Sequence, residues 1–243
     1  FFVSAGEDFR PQRRNRFFAI RAGILLRARE RIGGIREDWA ALFAALFLGL
    51  QDDLDPAVSP DGKTIAFTSN RPAADGSTDN EIYFMNLDGT EVRQVTDQKS
   101  GPPQGNAEHE LAWSPDGAKF AFSYQNEEYM SAVYTIDING ENLEQISVYG
   151  NIHEPAWSPD GSKIAFIDYR DEDGNGDIYV VDVDTKEEWR ITSQGYDAYE
   201  PTWSPDGSRI AFTSGDDIYS INLDGAGKTL WIAGGEHPDW GVV

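Results

Sequence analysis

The chain has 243 residues, 40% of them hydrophobic, with 42 acidic against 20 basic side chains and a net charge of −22. That content supplies a core for one large domain or two small ones. The lack of cysteine excludes disulfides and thiolate chemistry, and the acidity argues against a nucleic-acid partner, whose phosphates it would repel.

Residues 1–50 carry nine arginines against five acids, a net of +4, whereas residues 51–243 carry eleven basic and 37 acidic groups, a net of −26. Residues 1–54 therefore read as a leader, helical or disordered, matching no recognised domain. Phe17, Phe18, Ile20, Ile24, Leu25 and Leu26 suggest a helix that Gly33-Gly34 breaks. Trp39 to Leu50 is apolar. As a helix it would span about 18 Å, too short for a hydrocarbon core of ~30 Å, so no transmembrane span is expected. Its length suits the apolar part of an export signal, but Glu37 and Asp38 directly before it do not. Both readings stay open.

A five-residue pattern then recurs. Val58-Ser59-Pro60-Asp61-Gly62 is followed by Trp113 to Gly117, Trp157 to Gly161 and Trp203 to Gly207, each Trp-Ser-Pro-Asp-Gly; Pro238-Asp239-Trp240 starts another unit. Proline presets φ at one turn position, aspartate bonds the backbone two residues on, and glycine accepts a left-handed conformation. Gly62, Gly117, Gly161 and Gly207 are therefore structural repeat positions. After each turn comes Ile65-Ala66-Phe67, Phe120-Ala121-Phe122, Ile164-Ala165-Phe166 or Ile210-Ala211-Phe212. A second strand signal follows at Ile82-Tyr83, Val133-Tyr134, Ile178-Tyr179 and Ile218-Tyr219. A polar turn and a fourth strand signal close each unit. Four short strands recurring every forty or so residues make a propeller blade.

The expected fold is thus an all-β propeller of four-stranded antiparallel blades. Four are full, at about 55–97, 108–148, 153–193 and 199–232, and the start of a fifth lies at 236–243 in an open ring. Trp113, Trp157 and Trp203 are expected to fill the gaps between blades; a sugar-binding aromatic platform is the alternative.

These repeats resemble the TolB-type β-propeller repeat, a bacterial relative of the WD repeat. Pro155-Ala156-Trp157 through Ile191-Thr192 carries nearly the whole family pattern. The resemblance covers residues 55–243. It implies a non-catalytic, protein-binding module of the cell envelope, periplasmic or otherwise extracytoplasmic, with envelope proteins as partners. Two alternatives belong to related propellers: the substrate-gating propeller of a prolyl-oligopeptidase-like serine peptidase, and a metal-dependent oligogalacturonate-type lyase. The chain has no Gly-x-Ser-x-Gly elbow, Walker loop or dinucleotide fingerprint.

The loops on one face vary between copies while the Ser-Pro-Asp-Gly face does not, and binding is expected on the variable face. Two candidate cation sites fall there. One is the approach to each inner strand, with His109, Glu110, His153, Glu154 and Glu200 around the channel mouth the propeller implies. The alternative is that each acid bonds the backbone of its own turn. The other is Asp171, Asp173, Asn175 and Asp177, spaced as in the start of a calcium loop. The alternative there is a plain turn, since strands flank it.

Overall fold

The computed structural model describes residues 56–69, 81–96, 106–107, 110–126, 128–170, 174–192, 196–235, 238 and 240. The leader, His109, Asp171 and Asp173 lie outside them. The described residues form four separate antiparallel sheets. Blade 1 is β1 (Ala57–Val58), β2 (Thr64–Ser69), β3 (Glu81–Asn86) and β4 (Arg93–Gln94). In blade 2 the inner strand is in two pieces, β5 (Asn106–Ala107) and β6 (Ala112–Trp113), both paired with β7 (Lys119–Gln125); β8 (Ser131–Asp137) and β9 (Glu144–Gln145) complete it. Blade 3 is β10 (Ile152–Trp157), β11 (Lys163–Asp168), β12 (Asp177–Asp182) and β13 (Glu188–Arg190). Blade 4 is β14 (Ala198–Trp203), β15 (Arg209–Ser214), β16 (Asp217–Asn222) and β17 (Thr229–Ala233). Blades pack in chain order, and among the described residues no strand near Trp240 joins the sheet of blade 1.

The turn motif does what its residue types require. In blade 3 the Gly161 N–H donates to the Ser158 carbonyl, the Ser158 hydroxyl donates to Asp160, and Asp160 accepts the Ser162 N–H at 3.0 Å. The other copies repeat this, and the four glycines hold φ between 70° and 72°. In blades 1 to 3 the second turn docks beside the first, with Leu87, Ile138 and Val183 donating their N–H groups to the carbonyls of Lys63, Ala118 and Ser162. Both kinds of turn thus share one end of the blades. Gly140 and Gly225 meet a further demand there. Besides φ of +84° and +78°, a Cβ on either would lie 2.6 or 2.7 Å from a carbonyl oxygen of the preceding blade, Val95 or Ile191.

The core lies between blades. The second and third strands are buried on both faces, so they read as continuous apolar runs without alternation. Ala66, Ile82 and Phe84 pack on Phe120, Phe122 and Ile136 of the next blade, and Ala165, Ile178 and Val180 on Ile210, Phe212 and Ile221. A stacked phenylalanine–tyrosine pair recurs in all four blades: Phe67–Tyr83, Phe122–Tyr134, Phe166–Tyr179 and Phe212–Tyr219.

The tryptophans stitch the inner seam. The Trp113 indole N–H donates to the Ala57 carbonyl at 2.9 Å, Trp157 to Ala112, Trp203 to Ala156 and Trp240 to Thr202, each reaching back one blade. Burial is less uniform than the repeat suggests. Trp203 is 7% exposed, whereas Trp113 and Trp157 are half-buried.

Candidate functional site

The inner strands of blades 3 and 4 are not regular. The pairing of β10 with β11 slips between His153 and Ala156, and that of β14 with β15 between Tyr199 and Thr202. At each slip a glutamate sits in the left-handed region, Glu154 and Glu200 both at φ 55°. Such a conformation is costly for a residue with a Cβ and persists where other contacts hold it. A proline follows each glutamate and has no N–H to give a ladder.

The contact that holds the bulge is visible. The Glu154 N–H donates to the carboxylate of Glu110 in blade 2, and the Glu200 N–H donates to the carboxylate of Glu154. Glu200 accepts the Thr213 hydroxyl at 3.3 Å. Glu110 and Glu154 therefore each bond the backbone of the following blade. The reason is geometric: the left-handed residue rotates its N–H out of its own sheet and across the seam.

His153 stands beside this line. Its Nδ1 is 3.9 Å from a Glu110 carboxylate oxygen, and its Nε2 is 3.0 Å from the Asn151 side-chain oxygen. Burial depresses its basicity, and Asp168 only partly opposes that, so the ring is neutral at pH 7. Tyr169 meets His153 edge-on at 5.7 Å and lies tilted to Tyr199 at 6.4 Å, and the Tyr199 hydroxyl donates to Asp197. Burial pushes the Tyr169 hydroxyl well above its ordinary range, helped by Tyr199, Glu154 and Asp197. It is therefore a donor, never a phenolate, at physiological pH. These residues lie at the end of the blades opposite the glycine turns, where the loops vary.

Glu110, His153, Glu154 and Glu200 thus come together as a seam line with aromatic neighbours. Tyr169 and Asp197 escaped the sequence reading because neither occupies a repeated position. Of the calcium-loop residues, Asn175 and Asp177 are described. The Asp177 carboxylate bonds Arg190 at 2.5 Å and the Thr192 hydroxyl at 2.6 Å, and Thr192 in turn accepts the Ile178 N–H. Blade 1 uses the same device, with Glu81 bonded to Thr96, which accepts the Ile82 N–H. Among the described residues no group of three or more His, Cys, Asp or Glu side chains is placed to hold a metal ion, and no helix is long and apolar enough to cross a membrane.

Several known proteins share this architecture. A structure described as a TolB from Agrobacterium tumefaciens superposes with a TM-score of 0.61 at 24% identity, over 76% of this chain and 69% of that one. TolB from Acinetobacter baumannii gives 0.56 at 25% identity, over 77% of this chain and 45% of that one. A manganese complex of oligogalacturonate lyase matches in fold alone, with a TM-score of 0.51 at 19% identity over 66% of this chain and 45% of that one. Among curated proteins, dipeptidyl-peptidase 5 of Porphyromonas gingivalis is 35% identical over 78 residues. Those residues are 32% of this chain but only a tenth of the peptidase's length. The TolB beta propeller domain model, PD40, matches residues 110–237. With that match spanning more than half of the chain, over antiparallel four-stranded blades, the chain belongs to the TolB beta propeller domain family.

Proposed function

We propose that this chain is a non-catalytic, protein-binding propeller module of the bacterial cell envelope, working in the periplasm or another extracytoplasmic compartment. One observation carries the reading. On the variable face Glu110 and Glu154 accept N–H groups across the seams, whereas His153, Tyr169 and Tyr199 stand half-buried beside them. Half-exposed aromatic side chains on a rigid frame, with satisfied polar neighbours, are the usual anchors of protein interfaces. The envelope setting rests on the likeness to TolB structures.

The test immobilises the parent and a Tyr169→Ala/Tyr199→Ala variant and passes a bacterial envelope extract over both. Retention of a discrete protein by the parent, lost in a variant with unchanged circular dichroism, is expected. Equal retention by both would remove the face from the reading. The peptidase match supports a second reading, the substrate-gating propeller of a serine peptidase. An α/β-hydrolase domain with a serine elbow in the same reading frame would decide for it.

A further inference from the structure

Blade 2 carries an exposed apolar patch at the end of the blades where the loops vary. The tip between β7 and β8 is a closed turn. The Tyr129 N–H donates to the Asn126 carbonyl at 3.0 Å and the Asn126 N–H to the Met130 carbonyl at 2.9 Å. The Asn126 side-chain oxygen accepts the N–H groups of Glu128 and Met130 at 2.9 and 3.0 Å. This turn holds Tyr129 at φ 62°, the value that Gly215 takes at the matching tip of blade 4. A tyrosine is strained in that conformation, and its ring gains no cover in return, since Tyr129 is 81% exposed. Met130 beside it is 38% exposed, and Val148 and Tyr149, on the connection to blade 3, are 55% and 38% exposed. Ser131 and Gly150 exchange both N–H···O bonds, at 2.9 and 2.8 Å, and so tie the tip to that connection; all four side chains lie within two residues of this bridge. The Val148 N–H also donates to Glu188 of blade 3 at 3.2 Å. Blades 1 and 3 both pack on blade 2, so these residues are exposed with the two neighbouring blades in place.

A strained, exposed aromatic residue on an ordered turn, within an apolar patch, marks a contact surface. Charge selects its occupant. No lysine or arginine occurs between Lys119 and Lys163, whereas that stretch holds seven acids, and Glu127 and Glu128 directly precede Tyr129. Arg170, which reaches Glu188 beside Val148, is already paired with that glutamate and with Asp168. A second copy would bring the same acids to the contact, and its net charge of −22 opposes the encounter. We propose that Tyr129, Met130, Val148 and Tyr149 form a docking site for a segment of a partner protein in which arginine or lysine stands next to apolar residues. The cation lies over the Tyr129 ring with Glu128 beside it, and the apolar neighbours lie on Met130, Val148 and Tyr149. The proposal rests on the reading of this end of the blades as a protein-binding face. It adds an anchor outside the His153–Tyr169–Tyr199 group, and the chemistry of the partner.

The test uses the whole chain and a fluorescent peptide of alternating arginine and leucine. One control replaces arginine by citrulline, which keeps the shape and removes the charge; another replaces leucine by serine. The parent should bind the arginine–leucine peptide, and either replacement should weaken binding by about fivefold or more. Tyr129→Gly should weaken it as much while leaving Tm equal to the parent's or higher, because glycine takes the left-handed position freely. Glu128→Lys should weaken it too. Amide exchange of the parent should slow on peptide addition at residues 128–131 and 148–151, a readout that needs no variant. Equal binding of the arginine–serine peptide would reduce the effect to general charge attraction and overturn the proposal. So would no binding by the parent, or exchange slowed elsewhere and not at these residues. A lowered Tm in Tyr129→Gly would make the ring a structural group and overturn it as well. Peptide binding lost in Tyr169→Ala/Tyr199→Ala but kept in Tyr129→Gly would refute this anchor and leave the protein-binding face standing.

Discussion

Trp203→Ala asks whether the tryptophans hold the seams. Trp203 is 7% exposed, packs among Ala165, Ile167 and Ile178 of blade 3, and donates its indole N–H to the Ala156 carbonyl at 2.9 Å. A buried indole removes about 150–250 Å² from water, which at roughly 25 cal/mol per Å² gives about 4–6 kcal/mol as an upper bound. Truncations of this size in packed cores cost about 3–5 kcal/mol, and that is the expected loss. Trp203→Phe keeps most of the apolar contact and removes the donor, so it should cost about 1–2 kcal/mol. The chain has seven tryptophans, so fluorescence would mix local and global signals, and urea unfolding should be followed by circular dichroism. The half-buried Trp157 should cost less on truncation than Trp203. Equal urea midpoints for parent and Trp203→Ala would refute the seam role and return the ring to a surface platform.

Gly140→Ala should destabilise more than Gly161→Ala in the same urea assay. Both pay for a left-handed alanine, about 1 kcal/mol, but only at Gly140 would the Cβ also strike a backbone oxygen, Val95 at 2.6 Å; at Gly161 the nearest atom is a proline carbon at 3.8 Å. Asp177→Ala should cost about 3 kcal/mol with calcium chelated, because it strands the Arg190 partner of a buried carboxylate. Calcium at residues 171–177 remains a proposal resting on the sequence pattern. A variant with unchanged Tm in chelator that loses a calcium-dependent rise in Tm would make Asp177 a ligand first. Acid should weaken the turns. Bonds from Ser158 and Ser162 hold Asp160 at a pKa of about 2 against an ordinary 3.8, and Ser204 and Ser208 do the same for Asp206. A depressed folded pKa gives stability that is complete above pH ~4 and lost as pH falls towards 2. Tm measured over that range should fall, and less steeply in Asp160→Asn; an identical slope would show that the turn acids play no part.

The blades were legible because the turn residues act locally. Proline, aspartate and glycine each impose one backbone constraint, and the strands between the turns need only be apolar. The seam was not legible, because it depends on two blades at once. Glu110, Glu154 and Glu200 stand at equal distances before their tryptophans, but nothing in that spacing says that Glu154 and Glu200 turn left-handed and aim their N–H groups at the blade before. Asp177 shows the opposite limit. Its neighbours match a ligand pattern, while its bonding partner, Thr192, lies fifteen residues on, just past β13.

The inner seam has a direction. Every indole N–H and every left-handed glutamate N–H described on it belongs to the later blade, and the acceptor belongs to the earlier one. A chain emerging from the ribosome therefore presents finished acceptors before the donors that need them. Each new blade can close onto a surface already in place, without waiting for downstream sequence, so vectorial synthesis and the bonding order of the propeller run the same way.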